Sequence, residues 1–235
     1  MDALRVIEIK KSVFADNDCD ADALRKELKE KGVFLLNLMS APGSGKTTTL
    51  IQTINRMKES MSIGVMEADI DSDVDARKMR EATGVESIQL HTGGMCHLDA
   101  GMTRLGLDEL RHTLHDLPER NGSENPDLVF LENVGNLVCP AEFDTGASVN
   151  AMILSVPEGD DKPLKYPLMF QVCDVVLVNK IDVLPYFDFN LQRLEENVRM
   201  RNPRAQVIPI CAKSGEGMDA WYRWLEQGVE DWRKA

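Results

Sequence analysis

Three groups of residues in this 235-residue sequence have types and spacings that could do chemistry. The first is Ser40-Ala41-Pro42-Gly43-Ser44-Gly45-Lys46-Thr47. It matches the phosphate-binding pattern G-x-x-x-x-G-K-[ST], with Ser40 at the leading glycine position. Glycines in such a loop let successive backbone N–H groups converge on phosphate oxygens at a helix N-terminus. Lys46 would reach the β- and γ-phosphates, Thr47 would hold Mg2+, and Thr48 completes the cradle. The second group, Asn179-Lys180-Ile181-Asp182, follows the apolar run VVLV and fits a guanine-reading N/T-K-x-D pattern. The Asp182 carboxylate can accept two hydrogen bonds, from N1–H and the 2-amino group of guanine, which adenine does not offer in that arrangement. The stem of Lys180 can cover the base plane.

Two further segments extend these groups. Cys211-Ala212-Lys213 resembles the S-A-K loop of GTPases with cysteine for serine, and the Ala212 N–H is expected to face guanine O6. Glu132-Asn133-Val134-Gly135 resembles the D-x-x-G switch with glutamate for aspartate. Glu132 would bind Mg2+ through its water shell, and Gly135 would offer its N–H to the γ-phosphate. Position 136 is asparagine, not the glutamine that orients water in Ras-like enzymes. Water positioning must come from elsewhere, and the acidic stretch from Glu67 to Asp75 is the natural source. Asp69 and Asp75 rank first there, and Asp69 also as a Mg2+ contact, whereas Asp73 fits a helix N-cap better. With no such glutamine and no obvious cis arginine, slow intrinsic turnover is expected.

The third group is Cys96, His97 and Cys139, metal-competent types placed on loops beyond neighbouring strands. Thiolate and imidazole suit Zn2+ and Ni2+. The same residues also read as two inert thiols and a helix-capping histidine, and spacing alone does not decide between the two. Cys19 and Cys173 read as unspecialised.

Positioning these groups requires alternating strands and helices. The sequence predicts a helix over 20–31 ended by Gly32, then strands at 33–39, 62–67, 87–91, 128–132, 149–156, 174–179 and 206–210. Helices are expected at 46–59, 74–82, 100–116, from Pro163, at 189–201 and at 218–233, with a polar surface connection at 118–126. Several strands are continuous Val/Leu/Ile runs, as in parallel strands covered on both faces. The expected fold class is a three-layer α/β P-loop NTPase with a mostly parallel sheet of about seven strands, the ligand lying at their carboxyl ends. A helical extension over 1–31 would precede a nucleotide-binding domain over 32–235.

Composition bounds the partners. The chain carries 27 basic and 39 acidic residues, a net charge of −12, which disfavours nucleic acid and anionic membrane surfaces. There is no apolar signal core or membrane-length run, so the expected location is cytoplasmic. Five scattered cysteines argue against a disulfide frame.

Taken together, NLMSAPGSGKTT, TGGMCHLDA, ENVGNLVCPAEFDTG, EGDDKPLKYP and VNKID resemble HypB, the hydrogenase nickel-incorporation GTPases of the SIMIBI class. The likeness runs from about Val6 to the C-terminus. The urease accessory GTPase UreG shares the P-loop and NKxD but carries a cysteine–proline–histidine metal motif, where this chain has Cys96-His97 and Cys139-Pro140. The resemblance implies a homodimer that binds GTP/GDP with Mg2+ and places Cys96, His97 and Cys139 in a Zn2+/Ni2+ site at the dimer interface. It implies two partners, a HypA-like nickel metallochaperone and the hydrogenase large subunit, and a cross-interface role for Lys165. An N-terminal Cys-x-x-Cys-Gly-Cys or His-rich nickel tract, found in some members, is not in this sequence. Rival readings are nickel delivery to another enzyme such as urease, and a nucleotide-switched docking protein without metal delivery. A metabolic P-loop kinase is a third, opposed by Asp182.

Overall fold

The computed structural model describes residues 9–69, 74–115 and 125–234, with side chains over 15–69, 76–115 and 125–234. Ile70 to Asp73, the side chain of Asp75 and most of the connection expected at 118–126 therefore lie outside the described residues.

Seven strands form one sheet: β1 (Phe34–Ser40), β2 (Ile63–Asp69), β3 (Ser87–His91), β4 (Leu128–Glu132), β5 (Val149–Ser155), β6 (Val175–Asn179) and β7 (Gln206–Pro209). Their order is β3-β2-β4-β1-β5-β6-β7, and each neighbouring pair is parallel. The expected strand number and parallel character hold. Every residue of β1, β4 and β6 is buried, which accounts for their unbroken apolar runs. Because all strands run one way, the loops after β1, β2, β4, β6 and β7 leave from one edge of the sheet, where a ligand site is expected.

Alternation along β1 divides the core. Leu36 and Leu38 join Leu50 and Ile54 of α2 (Lys46–Met57) and Trp221 and Leu225 of α9 (Met218–Lys234). Leu35 faces the opposite layer, with Leu24 and Leu28 of α1 (Ile9–Glu30) and Leu110 and Leu114 of α4 (Ala100–His115). A third cluster sets Met152, Leu154 and Val176 against Phe170 of α7 (Pro167–Val172) and Leu194 of α8 (Leu191–Arg201). Truncating one of these leucines to alanine costs about 2–5 kcal/mol. α9 is fastened to the helix behind the phosphate loop: Trp221 Nε1 donates to Thr53 Oγ1 at 2.9 Å. Trp224 stacks on Trp221 at 5.5 Å, and Trp232 sets its edge on Phe34.

Helix α1 starts well before the residue 20 expected from sequence, and its second half is anchored by buried Ala21, Leu24 and Leu28. It ends as expected: Gly32 takes φ 67°, and Val33 N–H closes onto the Leu28 carbonyl at 2.9 Å. Glu27 binds α1 to α4, pairing with Arg104, with Arg111 at 3.1 Å and with Lys31 of its own helix end at 2.7 Å. The Lys31 hydrogen bond, opposed by burial and helped by both arginines, holds the Glu27 carboxyl down at about 2.

Buried amides cross the apolar sheet in a chain. Asn133 Nδ2 donates to Asn37 Oδ1 at 3.0 Å, Asn37 Nδ2 to Asn150 Oδ1 at 2.9 Å, and Asn150 Nδ2 to the Val172 carbonyl at 3.2 Å. Each link satisfies a polar group that would otherwise be costly inside the core. Two short helices escaped the sequence reading, α5 (Cys139–Glu142) and α7. The helix expected from Pro163 is the four-residue α6 (Lys162–Lys165). Proline in the first turn of each suits a helix start, and Pro167 stops α6 at the residue before it. α3 (Val74–Thr83) completes the order of helices. Among the described residues no helix is long and apolar enough to cross a membrane.

Candidate functional site

The turn from β1 into α2 bends back through two glycines in the left-handed region, Gly43 at φ 74° and Gly45 at φ 104°. Gly45 has a second reason to lack a side chain, since a Cβ there would sit 2.4 Å from Asn179 Nδ2. That amide group donates to the Ser44 carbonyl at 2.9 Å, and Asn179 Oδ1 accepts from the N–H of Ala212 at 3.0 Å. One buried asparagine thus ties the loops after β1, β6 and β7 together. Lys46 Nζ donates to Ser40 Oγ at 2.9 Å, so the serine at the leading glycine position holds the lysine back along the loop.

At the base end, Lys180 is the only non-glycine with positive φ among the described residues, at 63°. Its ammonium donates to the Gly43 carbonyl at 2.7 Å, which draws the side chain across the phosphate loop. The Cys211 thiol donates to Asp182 Oδ1 at 3.3 Å. Asp182 and Lys213 are exposed, while Cys211 and Ala212 are buried. The Ala212 N–H donates to the Asn179 side-chain carbonyl oxygen at 3.0 Å. The NKxD and C-A-K segments are therefore locked to each other by an internal hydrogen bond.

The phosphate loop opens onto a cleft of about 580 Å³. It gathers Gly43, Gly45, Lys46, Thr47, Thr48, Asp69, Glu132, Gly135 and Lys180, all selected from sequence. Gly135 packs so closely on the loop that a Cβ would lie 3.2 Å from the Pro42 ring. Thr47 Oγ1 donates to Glu132 Oε1 at 3.3 Å. Glu67 and Glu132 are paired residues on β2 and β4, each only 4% exposed, and both line the cleft. Two buried carboxylates side by side favour sharing a proton or a cation. The pair, with the Thr47 hydroxyl, fits a hard divalent cation with oxygen ligands. Asp69 ends β2 at the cleft wall, whereas the side chain of Asp75 lies outside the described residues. Sequence reasoning missed two lining residues. In sequence Glu67 only begins an acidic stretch; its strand register against Glu132 places it in the cleft. Lys78, on α3, belongs to no motif.

The metal-competent group is only partly assembled. The loop after β4 turns through an Asn136 side chain that accepts from the Val138 N–H at 2.8 Å, and Cys139 opens α5. There it meets Cys96 within hydrogen-bond reach. That bond, then burial and the Cys96 charge, push the Cys139 thiol up, while Asn136 works against them. His97 does not join the thiols. Its ring stacks on Phe143 at 3.7 Å and 10°, and burial pushes its ionisation down against the charges of Asp99 and Glu142. No three metal-competent side chains converge among the described residues. Nor does His97 cap α4; Asp99 does, accepting from the Met102 N–H at 2.8 Å. Lys165 pairs with Asp161 at 2.5 Å within α6 and its cap. Cys173 is buried against Met169, and burial raises its thiol well above the usual range.

Comparison with known proteins places this geometry. The family described as CobW/HypB/UreG, nucleotide-binding domain, matches residues 34–209. The chain is 46% identical over 222 residues to the hydrogenase maturation factor HypB of Rhizobium leguminosarum bv. viciae, covering 94% of this chain and 70% of the relative. It is 44% identical to the hydrogenase/urease maturation factor HypB of Helicobacter hepaticus, covering 94% of this chain and 87% of that one. The crystal structure of HypB from Helicobacter pylori in complex with nickel superposes with a TM-score of 0.82 at 35% identity, over 92% of this chain and 96% of that one. The chain belongs to the CobW/HypB/UreG family and, within it, to the HypB hydrogenase maturation factors.

Proposed function

We propose that this chain is a GTP-hydrolysing nickel-delivery protein for [NiFe]-hydrogenase, acting as a homodimer whose nucleotide state controls a metal site. One observation carries the coupling. The segment that lines the cleft with Glu132 and Gly135 continues directly to Cys139, which follows Gly135 by four residues and meets Cys96. A shift of Gly135 against Pro42 would move Cys139 with it, so nucleotide and metal affinities are linked, each changing the other by the same factor.

Gly43, Ser44 and Gly45 supply the backbone cradle, Lys46 neutralises the phosphates, and Thr47 and Thr48 open the helix beneath them. Asn179 fixes the loops, Lys180 covers the base and Asp182 reads guanine. Ala212 and Lys213 wall the base from the far side. Mg2+, when bound, supplies charge neutralisation. Thr47, Glu132 and Asp69 would hold it, and the Thr47–Glu132 contact and the buried Glu67–Glu132 pair support that choice. Asp69 and Asp75 are the candidates to orient the attacking water. The asparagine at 136 is consistent with slow turnover.

Nickel is cargo in this reading. Cys96 and Cys139 offer soft ligands suited to Ni2+ or Zn2+, and two more must come from elsewhere. A second copy contributing the same pair would complete four ligands about a twofold axis. His97 joins only by leaving Phe143. The remaining partners are a HypA-like nickel metallochaperone and the hydrogenase large subunit. The name of the Helicobacter hepaticus relative favours urease as a second client. The test titrates nickel and zinc into the protein with GDP and with a non-hydrolysable GTP analogue while measuring mass. Nickel affinity and dimer mass should differ between the two nucleotides. Identical nickel affinities would break the coupling, and a dimer without metal would leave the docking reading.

A further inference from the structure

Lys78 is a cation of the cleft that no motif explains. It stands one turn into α3 and lines the same cleft as Lys46, Thr47, Glu132 and Gly135. The other two lysines there are engaged: Lys46 Nζ with Ser40 Oγ, and Lys180 Nζ with the Gly43 carbonyl. Lys78 is exposed and makes no hydrogen bond or ion pair with any other described residue. The lining also carries three carboxylates, Glu67, Asp69 and Glu132. Without Lys78 the cleft would be net negative before any phosphate entered, in a chain whose net charge is already −12. An anion must be drawn into that field. Phosphoryl transfer is catalysed largely by neutralising charge spread over the terminal phosphate oxygens, a task an arginine finger performs in cis or in trans. A lysine on a flexible four-carbon stem delivers the same charge as a point donor.

Resting on the GTP-hydrolysing reading above, we propose that Lys78 is a cis catalytic cation that contacts the terminal phosphate of bound GTP. It adds a second charge to that of Lys46, which reaches the β- and γ-phosphates from the loop. The group distinguishes GTP from GDP because its target oxygens exist only in the triphosphate. Water attacks the γ-phosphorus, the bond to the β–γ bridging oxygen breaks with its electron pair leaving on GDP, and the water's proton passes to the released inorganic phosphate. Lys78 compensates the negative charge and takes no part in the proton balance.

The experiment compares unmodified protein, Lys78→Ala, Lys78→Gln and Lys78→Arg. It measures steady-state phosphate release together with fluorescent GDP and non-hydrolysable GTP-analogue binding. Removing the charge should lower kcat at least about tenfold. It should also weaken the triphosphate analogue several-fold and leave GDP affinity within about twofold. Lys78→Arg should restore most of the rate. Unchanged kcat with an unchanged triphosphate-to-diphosphate affinity ratio overturns the assignment. So does a parallel loss of GDP and analogue binding, which would mark a general field effect. If the unmodified chain releases no phosphate from GTP, the functional reading fails first; if it does and Lys78→Ala matches it, this assignment alone fails.

Discussion

At the nucleotide end, a single side chain, Asn179, binds three loops, and Thr47, Glu132 and Lys46 already have partners in the same chain. At the thiol end, Cys96 and Cys139 meet, but His97 lies flat against Phe143 and no third ligand approaches among the described residues. The difference follows from what each end must satisfy. A phosphate cradle is made of backbone N–H groups that strand–turn–helix geometry supplies locally. Four-coordinate metal binding needs side chains from several elements, and among the described residues only Cys96 and Cys139 of the metal-competent group meet. A site built within the chain can hold its ligand alone, whereas the metal site proposed above would make occupancy depend on association.

The contrast can be broken or sharpened by substitution. The largest effect should come from Asp182→Asn, which removes the carboxylate proposed to read guanine. Guanine nucleotide affinity should fall about 100–1000-fold, with a gain for xanthine nucleotides in competition binding. ATP competing as well as GTP in the unmodified protein would undo the base assignment. Next, Cys139→Ala should weaken nickel and zinc binding by at least about 100-fold, because it removes half of the chain's thiol pair. GDP affinity should stay within about twofold in the same samples. A joint loss would show that the two ends are one structure, contrary to the comparison. His97→Ala should cost metal affinity less than about tenfold if the ring stays on Phe143. A loss as large as that of Cys139→Ala would place His97 among the ligands and erase the contrast.

The smallest effect is the control away from both ends. Glu27 is held at about 2 in the folded protein, below its ordinary 4.5, so it binds fewer protons folded than unfolded. Its contribution is full above about pH 4.5 and is lost as pH falls toward 2. Glu27→Gln should lower stability by about 1–2 kcal/mol at neutral pH and converge with the unmodified protein near pH 2. Thermal unfolding across that range checks it, and a constant difference at every pH would exclude ionisation as the cause.

What could be read from the sequence was what is local. β1, β4 and β6 announce themselves as apolar runs because both their faces are covered. Lys46 and Asp182 sit at fixed offsets from strand ends, so spacing finds them. Register is not local. Nothing in the residues around Glu67 says that it faces Glu132 across two strands, since their pairing depends on how β4 inserts beside β2. Lys78 looks like any lysine on a polar helix until the fold turns α3 over the cleft. His97 directly follows Cys96 in the chain, yet adjacent residues need not point together, and its ring stacks on Phe143 instead. The Ala212 N–H donates to Asn179, a partner on another strand that nothing local in the sequence announces.

The fastening of α9 by Trp221 has an optical corollary. All three tryptophans of the chain lie on that helix, and the first is buried and hydrogen-bonded to Thr53 behind the phosphate loop. Ultraviolet-excited emission of the unlabelled protein is therefore a single-address signal. It reports α9 against α2 and β1, with no chromophore of that kind in the cysteine loops. Nucleotide-driven movement of α2 should register as a shift in colour or intensity, while metal capture reads through thiolate absorbance. The two halves of the proposed coupling are thus separable in one cuvette.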